Sequence, residues 1–368
     1  GLSDAKDVLQ VGLVDFDLDG QQELVVLTDS KVQVYSREDS NSAWTPSVAA
    51  TIPAGTTGMI IADLDRDIRD SGTAAVAEPS DRFDEVVAEN TNCFEADPDL
   101  IVYGSSGVIV LENRFDKATS TRSLEVAEND GLSGLANVDC GIAVDFDHDG
   151  DLDTVFAAAG GVTFWLGDKK LGFRDVTQWS VVPDGLAKVT DLLAVDWDRD
   201  VDIDLLAATP DGETVGYFEN LRHGQFRWQN LEDSFGEIGK PSALEVIEAT
   251  GNASWDLVTV GSEGTRIVQT ATPRSGLVKF VSQQEVGTES AVGALHWDYD
   301  TDGIRDLLAW GESGLTALHG QLGGKFEVTE LQAEALAASV THTISGDLDQ
   351  DGDSDLIVVT PSEIIGLS

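Results

Sequence analysis

Short apolar runs recur along the chain, each just behind an acidic loop. Glu-Leu-Val-Val-Leu at 23–27 is the first and Asp-Leu-Ile-Val-Val at 355–359 the last. Residues 141–177 form a clean unit. Gly141–Phe146 reads as a short strand entering the loop, and Thr154–Ala158 as a second strand. Gly160-Gly161 reads as a turn, Val162–Leu166 as a third strand, Lys169–Gly172 as a hairpin turn, and Phe173–Thr177 as the start of a fourth. Short length, β-branched and aromatic residues and Gly-rich turns all favour strands. The same order returns at 192–231 and 292–331. Gly172-Phe173, Gly224-Gln225-Phe226 and Gly324-Lys325-Phe326 predict a tight turn that feeds an aromatic between neighbouring sheets.

Full or degraded copies of the acidic loop begin at Asp15, Asp63, Asp145, Asp196, Glu248, Asp298 and Asp347, at intervals of 48, 82, 51, 52, 50 and 49 residues. A period near fifty with four strands per unit predicts an all-β fold, a seven-bladed β-propeller of four-stranded antiparallel blades. One sheet cannot bury both faces alone, whereas seven arranged radially bury them against one another and hide most edges. The regular loop spacing and the lack of polar linkers argue against a long row of sandwich domains. A single domain over 1–368 is expected. Residues 71–98 form an acidic insertion in the second blade, read either as a plain surface loop or as a binding element. The last unit lacks a fourth strand, which residues 2–6 could supply by pairing beside the C-terminus.

The loops carry the chemistry. Asp145, Asp147, Asp149 and Asp153 occupy the first, third, fifth and ninth positions, with Gly150 at the sixth for the sharp turn. Hard oxygen donors without Cys or His select calcium or magnesium, and a flexible carboxylate-rich loop favours calcium. An Asp-Gly hairpin turn needs no more than one carboxylate. Three or four in one loop repel each other unless a cation lies among them. Asp298/Asp300/Asp302/Asp306 and Asp347/Asp349/Asp351/Asp355 are also complete, and Asp15/Asp17/Asp19/Glu23 ends in Glu. Asp196/Asp198/Asp200/Asp204 has Val201 where the others have Gly, so a different turn is expected. Asp63/Asp65/Asp67 needs Asp99 or Asp70 to finish it. Glu248, Thr250 and Asn252 precede Asp256, and no metal is expected there. The expectation is about five calcium ions, or six with the second loop.

The stretches VDFDLDGQQELVVL, VDFDHDGDLDTVFA, LHWDYDTDGIRDLLAW and GDLDQDGDSDLIVV resemble the FG-GAP/VCBS repeat family. This family of calcium-loop propellers includes integrin α-chain heads and many bacterial extracellular proteins. The resemblance spans essentially the whole chain. It implies ligation by the first, third, fifth and ninth loop residues, ions that are mainly structural, and a recognition or scaffold role. The literal Phe-Gly…Gly-Ala-Pro signature is absent, so the VCBS-like branch is the nearer.

Charge narrows the partners. The net charge of −45 disfavours nucleic acid and anionic membranes, which attract Lys and Arg. No apolar stretch reaches the roughly 18 residues of a membrane helix. Cys93 and Cys140 stand either as buried thiols or as one disulfide pinning the insertion, the latter requiring an oxidising compartment. The chain begins abruptly at Gly1 and reads as a piece of something longer.

His148, His223, His296, His319 and His342 share no spacing and read as surface or packing residues. Lys188, Arg199 and Arg305 are not grouped as a lyase would need. Most tryptophans read as blade packing, with Trp44 and Trp179 less bound to strands. The expected role is a monomeric, non-enzymatic module binding protein or carbohydrate. Its expected location is extracellular, at the cell surface or periplasmic, where millimolar calcium fills weak sites. The alternatives are a calcium-dependent polysaccharide lyase or hydrolase, or the propeller portion of a larger enzyme or adhesin.

Overall fold

The computed structural model describes residues 2, 6–39, 42–65, 97–116, 118–128, 131–158, 161–168, 170–184, 186, 188–209, 215–287, 289–298, 300–329, 339–348, 351–352 and 354–367. Their strands form seven antiparallel sheets, each built from consecutive strands. The first four blades are β1–β4 (8–51), β5–β8 (56–126), β9–β12 (138–175) and β13–β16 (191–230). The last three are β17–β20 (243–286), β21–β24 (293–329) and β25–β27 (342–367). First strands of consecutive blades lie side by side, and β25 returns to β1, so the sheets close a ring.

The apolar runs are the second strands, and their burial explains why they are nearly continuous. Successive side chains leave opposite faces of a strand. In β14 (Asp204–Ala208), Leu205 and Ala207 pack against the third blade, while Leu206 and Ala208 pack against the fifth. Likewise Ile357 and Val359 of β26 (Asp355–Val359) face the first blade, and Leu356 and Val358 the sixth. Every junction between consecutive blades holds its own apolar cluster. Fully burying one such Leu or Val contributes about 1.5–3 kcal/mol.

The turn-borne aromatics Phe173, Phe226 and Phe326 are all buried between blades. Phe226 stacks on Phe164 at 4.5 Å and meets Phe146 edge-on at 5.1 Å. At the first of these turns the left-handed residue is Leu171 (φ 59°) rather than Gly172. First strands are also tied by hydrogen bonds across blades. The Gln10 amide donates to the Met59 carbonyl (3.1 Å) and accepts from its N–H (2.8 Å). Leu244 N–H donates to Asp191 Oδ2 at 2.8 Å.

The seventh sheet has three strands among the described residues, as the strand count predicts. The ring closes there through side chains: Val8, Val11, Leu24, Val26 and Tyr35 pack on Ile357 and Val359. The proposed pairing of residues 2–6 falls largely outside the described residues, as do residues 71–96 of the insertion and Cys93. Cys140 is buried, with Sγ 3.8 Å from the Val189 carbonyl.

Candidate metal centres

One register repeats in all seven blades. The last residue of the first strand pairs with the ninth loop residue, which opens the second strand: Val14↔Glu23, Ala62↔Asp99, Val144↔Asp153, Val195↔Asp204, Ile247↔Asp256, Trp297↔Asp306 and Gly346↔Asp355. The second blade keeps this pairing despite its insertion. Asp99 therefore stands where the other blades have their ninth carboxylate, and it groups with Asp63 and Asp65.

The loop itself is held by its own backbone. The sixth residue donates its N–H to Oδ2 of the first: Gly20 to Asp15 (3.0 Å), Gly150 to Asp145 (3.0 Å), Val201 to Asp196 (3.2 Å), Gly303 to Asp298 (3.0 Å) and Gly352 to Asp347 (3.2 Å). The fifth N–H donates to the third carboxylate, at 3.2 Å from Asp149 to Asp147 and from Asp302 to Asp300. Gln21, Asp151, Asp202 and Ile304 donate their N–H groups to the fifth carboxylates Asp19, Asp149, Asp200 and Asp302, at 2.7–3.0 Å. These turns need left-handed residues at the fourth and sixth positions. Leu18, His148, Arg199 and Thr301 fill the fourth, and Gly20, Gly150 and Gly303 the sixth.

Val201 corrects an expectation. Its turn is the same as the others, with φ forced to 81° in a β-branched residue. Such a conformation costs about 1–3 kcal/mol and persists only where the surroundings fix it.

What the backbone leaves over are carboxylate oxygens aimed into the loops. Oδ1 of Asp145, Asp198, Asp298 and Asp347 is buried without a hydrogen-bond partner. Ligand atoms of Asp15/Asp17/Asp19, Asp63/Asp65/Asp99, Asp145/Asp147/Asp153 and Asp196/Asp198/Asp204 converge within 4.8 Å in each group. Asp149, Asp200, Asp306, Asp351 and Asp355 lie at their expected loop positions, while Asp67 and Asp349 fall outside the described residues. These clusters suit a hard divalent cation by donor type, convergence and orphaned oxygens.

The ninth carboxylate has a second task that the sequence did not reveal. Asp153 accepts Phe146 N–H on Oδ2 (3.0 Å) and Gly167 N–H on Oδ1 (2.9 Å), clamping the loop to the third strand. Asp99 clamps Leu64 and Asn113, Asp204 clamps Trp197 and Asn220, and Asp256 clamps Ala249 and Thr270 in the same way. Asn113 and Asn220 also reach the preceding blade, donating to the Phe16 carbonyl (2.9 Å) and the Phe146 carbonyl (2.8 Å). Burial without a counter-charge pushes Asp153 and Glu23 up to about 7, and Asp99 and Asp204 up to about 8. A cation beside them would reverse that shift.

The fifth blade uses the same loop differently. Asn252 Nδ2 donates to the Thr270 carbonyl (2.7 Å), and its Oδ1 accepts Ser254 N–H (2.7 Å). Glu248 accepts Asn252 N–H at 3.0 Å.

Histidine gave a further surprise. His148 turns from its own loop towards Asp202 (3.7 Å). His319 joins Asp300 and Asp302, with Nδ1 at 3.4 Å from Asp300 and 3.2 Å from Asp306. It lies on β23 (Gly314–Gln321), and nothing in the local sequence marks it as a neighbour of that loop.

A family model described as FG-GAP-like repeat matches residues 15–70 and 298–358. Those two stretches carry FG-GAP-like repeats. The seven sheets make the chain a seven-bladed propeller, and its Asp-rich loops are consistent with a calcium-loop architecture. No curated protein matches the chain. Among solved structures, BBS1N in complex with ARL6DN is similar with a TM-score of 0.57 at 11% identity, covering 99% of this chain and 93% of that one. An Agrocybe aegerita lectin that recognises non-reducing terminal N-acetylglucosamine is similar at 0.55 and 15%, covering 97% and 90%. Saccharomyces cerevisiae Sqt1 is similar at 0.54 and 10%, covering 94% and 81%. At these identities the likeness is one of fold.

Proposed function

We propose that the chain is a calcium-stabilised recognition or scaffold module, without catalysis of its own, that binds a protein or carbohydrate ligand outside the cytoplasm. The observation that carries this reading is the set of buried loop carboxylate oxygens without protein partners, at Asp145, Asp198, Asp298 and Asp347. Calcium there fixes the acidic first-to-second-strand connections and so holds most of one rim of the ring rigid. Rigid loops on a closed scaffold suit binding. Millimolar calcium outside cells fills loops of modest affinity. The solved relatives add support, one being in complex with a protein and one recognising a sugar. The net charge of −45 leaves nucleic acid an unfavourable partner.

The test is a screen of immobilised glycans and proteins against the full chain in calcium and in EDTA. Calcium-dependent capture without change to the captured molecule is expected. Depolymerisation of a polysaccharide would contradict the reading.

A further inference from the structure

The third strand of each blade brings one residue beside the acidic loop. This residue follows the one that pairs with the tenth loop position. In the first six blades it is Ser36, Glu112, Leu166, Glu219, Gln269 and His319. The residue after it gives the N–H that the ninth carboxylate accepts, as Gly167 does for Asp153 and Gly320 for Asp306 (2.7 Å). The position therefore faces the loop carboxylates. Leu166 lines a cleft with Asp147 and Asp149, and Glu219 lines one with Asp198.

Of these six residues, His319 alone carries a basic nitrogen. Its Nδ1 lies 3.4 Å from Asp300 Oδ2 and 3.2 Å from Asp306 Oδ1. One ligand atom each of Asp300, Asp302 and His319 converge within 4.8 Å of one another. Two atoms bound at about 2.0–2.2 Å to a tetrahedral zinc ion stand about 3.3–3.6 Å apart. The imidazole and Asp300 are spaced in that range. The His319 side chain is 29% exposed, so an ion can reach it from solvent. The loop also keeps an unpartnered buried oxygen, Asp298 Oδ1.

We propose that the sixth-blade loop is a mixed-donor site that prefers zinc to calcium, with His319 Nδ1 joining Asp300 and Asp302 as ligands. Oxygen-only loops suit the hard calcium ion, whereas an imidazole nitrogen suits zinc and similar borderline ions. In calcium alone, the carboxylates hold calcium here as in the other loops. When zinc enters, the neutral ring binds it through Nδ1 and carries its proton on Nε2. The site rests on the cation-filled loops proposed above and gives one blade a different ion.

The test equilibrates crystals of the full chain, grown in calcium, with zinc and measures diffraction on both sides of the zinc absorption edge. Zinc should appear about 2.0–2.1 Å from His319 Nδ1, with none in the loop at Asp145. Competition titrations in millimolar calcium then measure zinc affinity in solution. His319→Ala should weaken zinc by about tenfold or more and leave calcium binding unchanged. His319→Gln, which keeps a neutral hydrogen-bonding side chain, should do the same and serves if the first variant does not fold. Calcium that stays in the sixth loop in the presence of zinc, with His319 in an ion pair only, overturns the proposal. Zinc entering the Asp145 loop as readily overturns it too, as does a His319 variant that binds zinc as before. Each of these leaves the calcium reading standing, whereas loops without any cation would remove both.

Discussion

The loops at 145–153 and 248–256 share a backbone and differ in what fills them. Both turn through left-handed residues, His148 and Gly150 in one, Gly251 and Ala253 in the other. Both end in a buried Asp whose two oxygens clamp backbone N–H groups. In the third blade Asp145 Oδ1 is left buried without a partner. In the fifth, Asn252 brings its own donors and acceptor into the loop. The hairpin can thus be held by a neutral amide network or by a cation among carboxylates. The ninth Asp is needed either way, which is why Asp256 remains where the third and fifth carboxylates are gone.

Chelation should separate the two kinds of loop most strongly. A site at a hundred times its Kd adds about 2.7 kcal/mol. Removing several such ions should lower the melting temperature by roughly 10 °C or more. Hydrogen exchange should then rise in the third-blade loop and stay unchanged at 248–256. Equal loosening of both loops would erase the distinction.

Replacing the clamps sharpens the comparison. Asp153→Ala and Asp256→Ala each strip two backbone N–H groups of their acceptor and should cost about 2–4 kcal/mol. The Asp256→Ala cost should be the same in calcium and in EDTA. The Asp153→Ala cost should be larger in calcium, because a ligand goes with the clamp. Denaturant titration of both variants in both buffers measures this, and identical calcium dependence would refute it.

The pH dependence follows from burial. The folded values of Asp153, about 7, and of Asp99 and Asp204, about 8, lie above the unfolded carboxylate range near 4. A raised carboxylate favours the protonated folded state, so its contribution is complete below about pH 4 and fades as pH rises through 7–8. In EDTA, stability should therefore fall between pH 5 and 8.5. Saturating calcium replaces the proton and should flatten or reverse that slope. Parallel melting curves across this range with and without calcium would count against cations in these loops.

The smallest effect is at Val201, which is 74% exposed and held at φ 81°. Val201→Gly should relieve the strain and add about 1–2 kcal/mol. A loss of stability would mean that the valine side chain supports the loop.

Much of the architecture was legible because second strands are buried on both faces and leave dense apolar runs such as Leu205–Ala208. The loop carboxylates were legible through their spacing. Asp99 was within reach because it opens a strand. The turn at Val201 was not, since a strained valine looks like a missing glycine. The clamp of Asp153 on Gly167 and the approach of His319 to Asp300 depend on the third strand, which returns beside the loop only after folding. Most tryptophans read as blade packing, and Trp197 and Trp310 are indeed buried between blades, whereas Trp255 is exposed.

The most direct measurement is long-wavelength anomalous diffraction from crystals of the full chain grown in calcium. Calcium peaks are expected within the loops that begin at Asp15, Asp145, Asp196 and Asp298, with none at Glu248. A bare loop at Asp145 or Asp298, or a peak beside Glu248, would contradict the account.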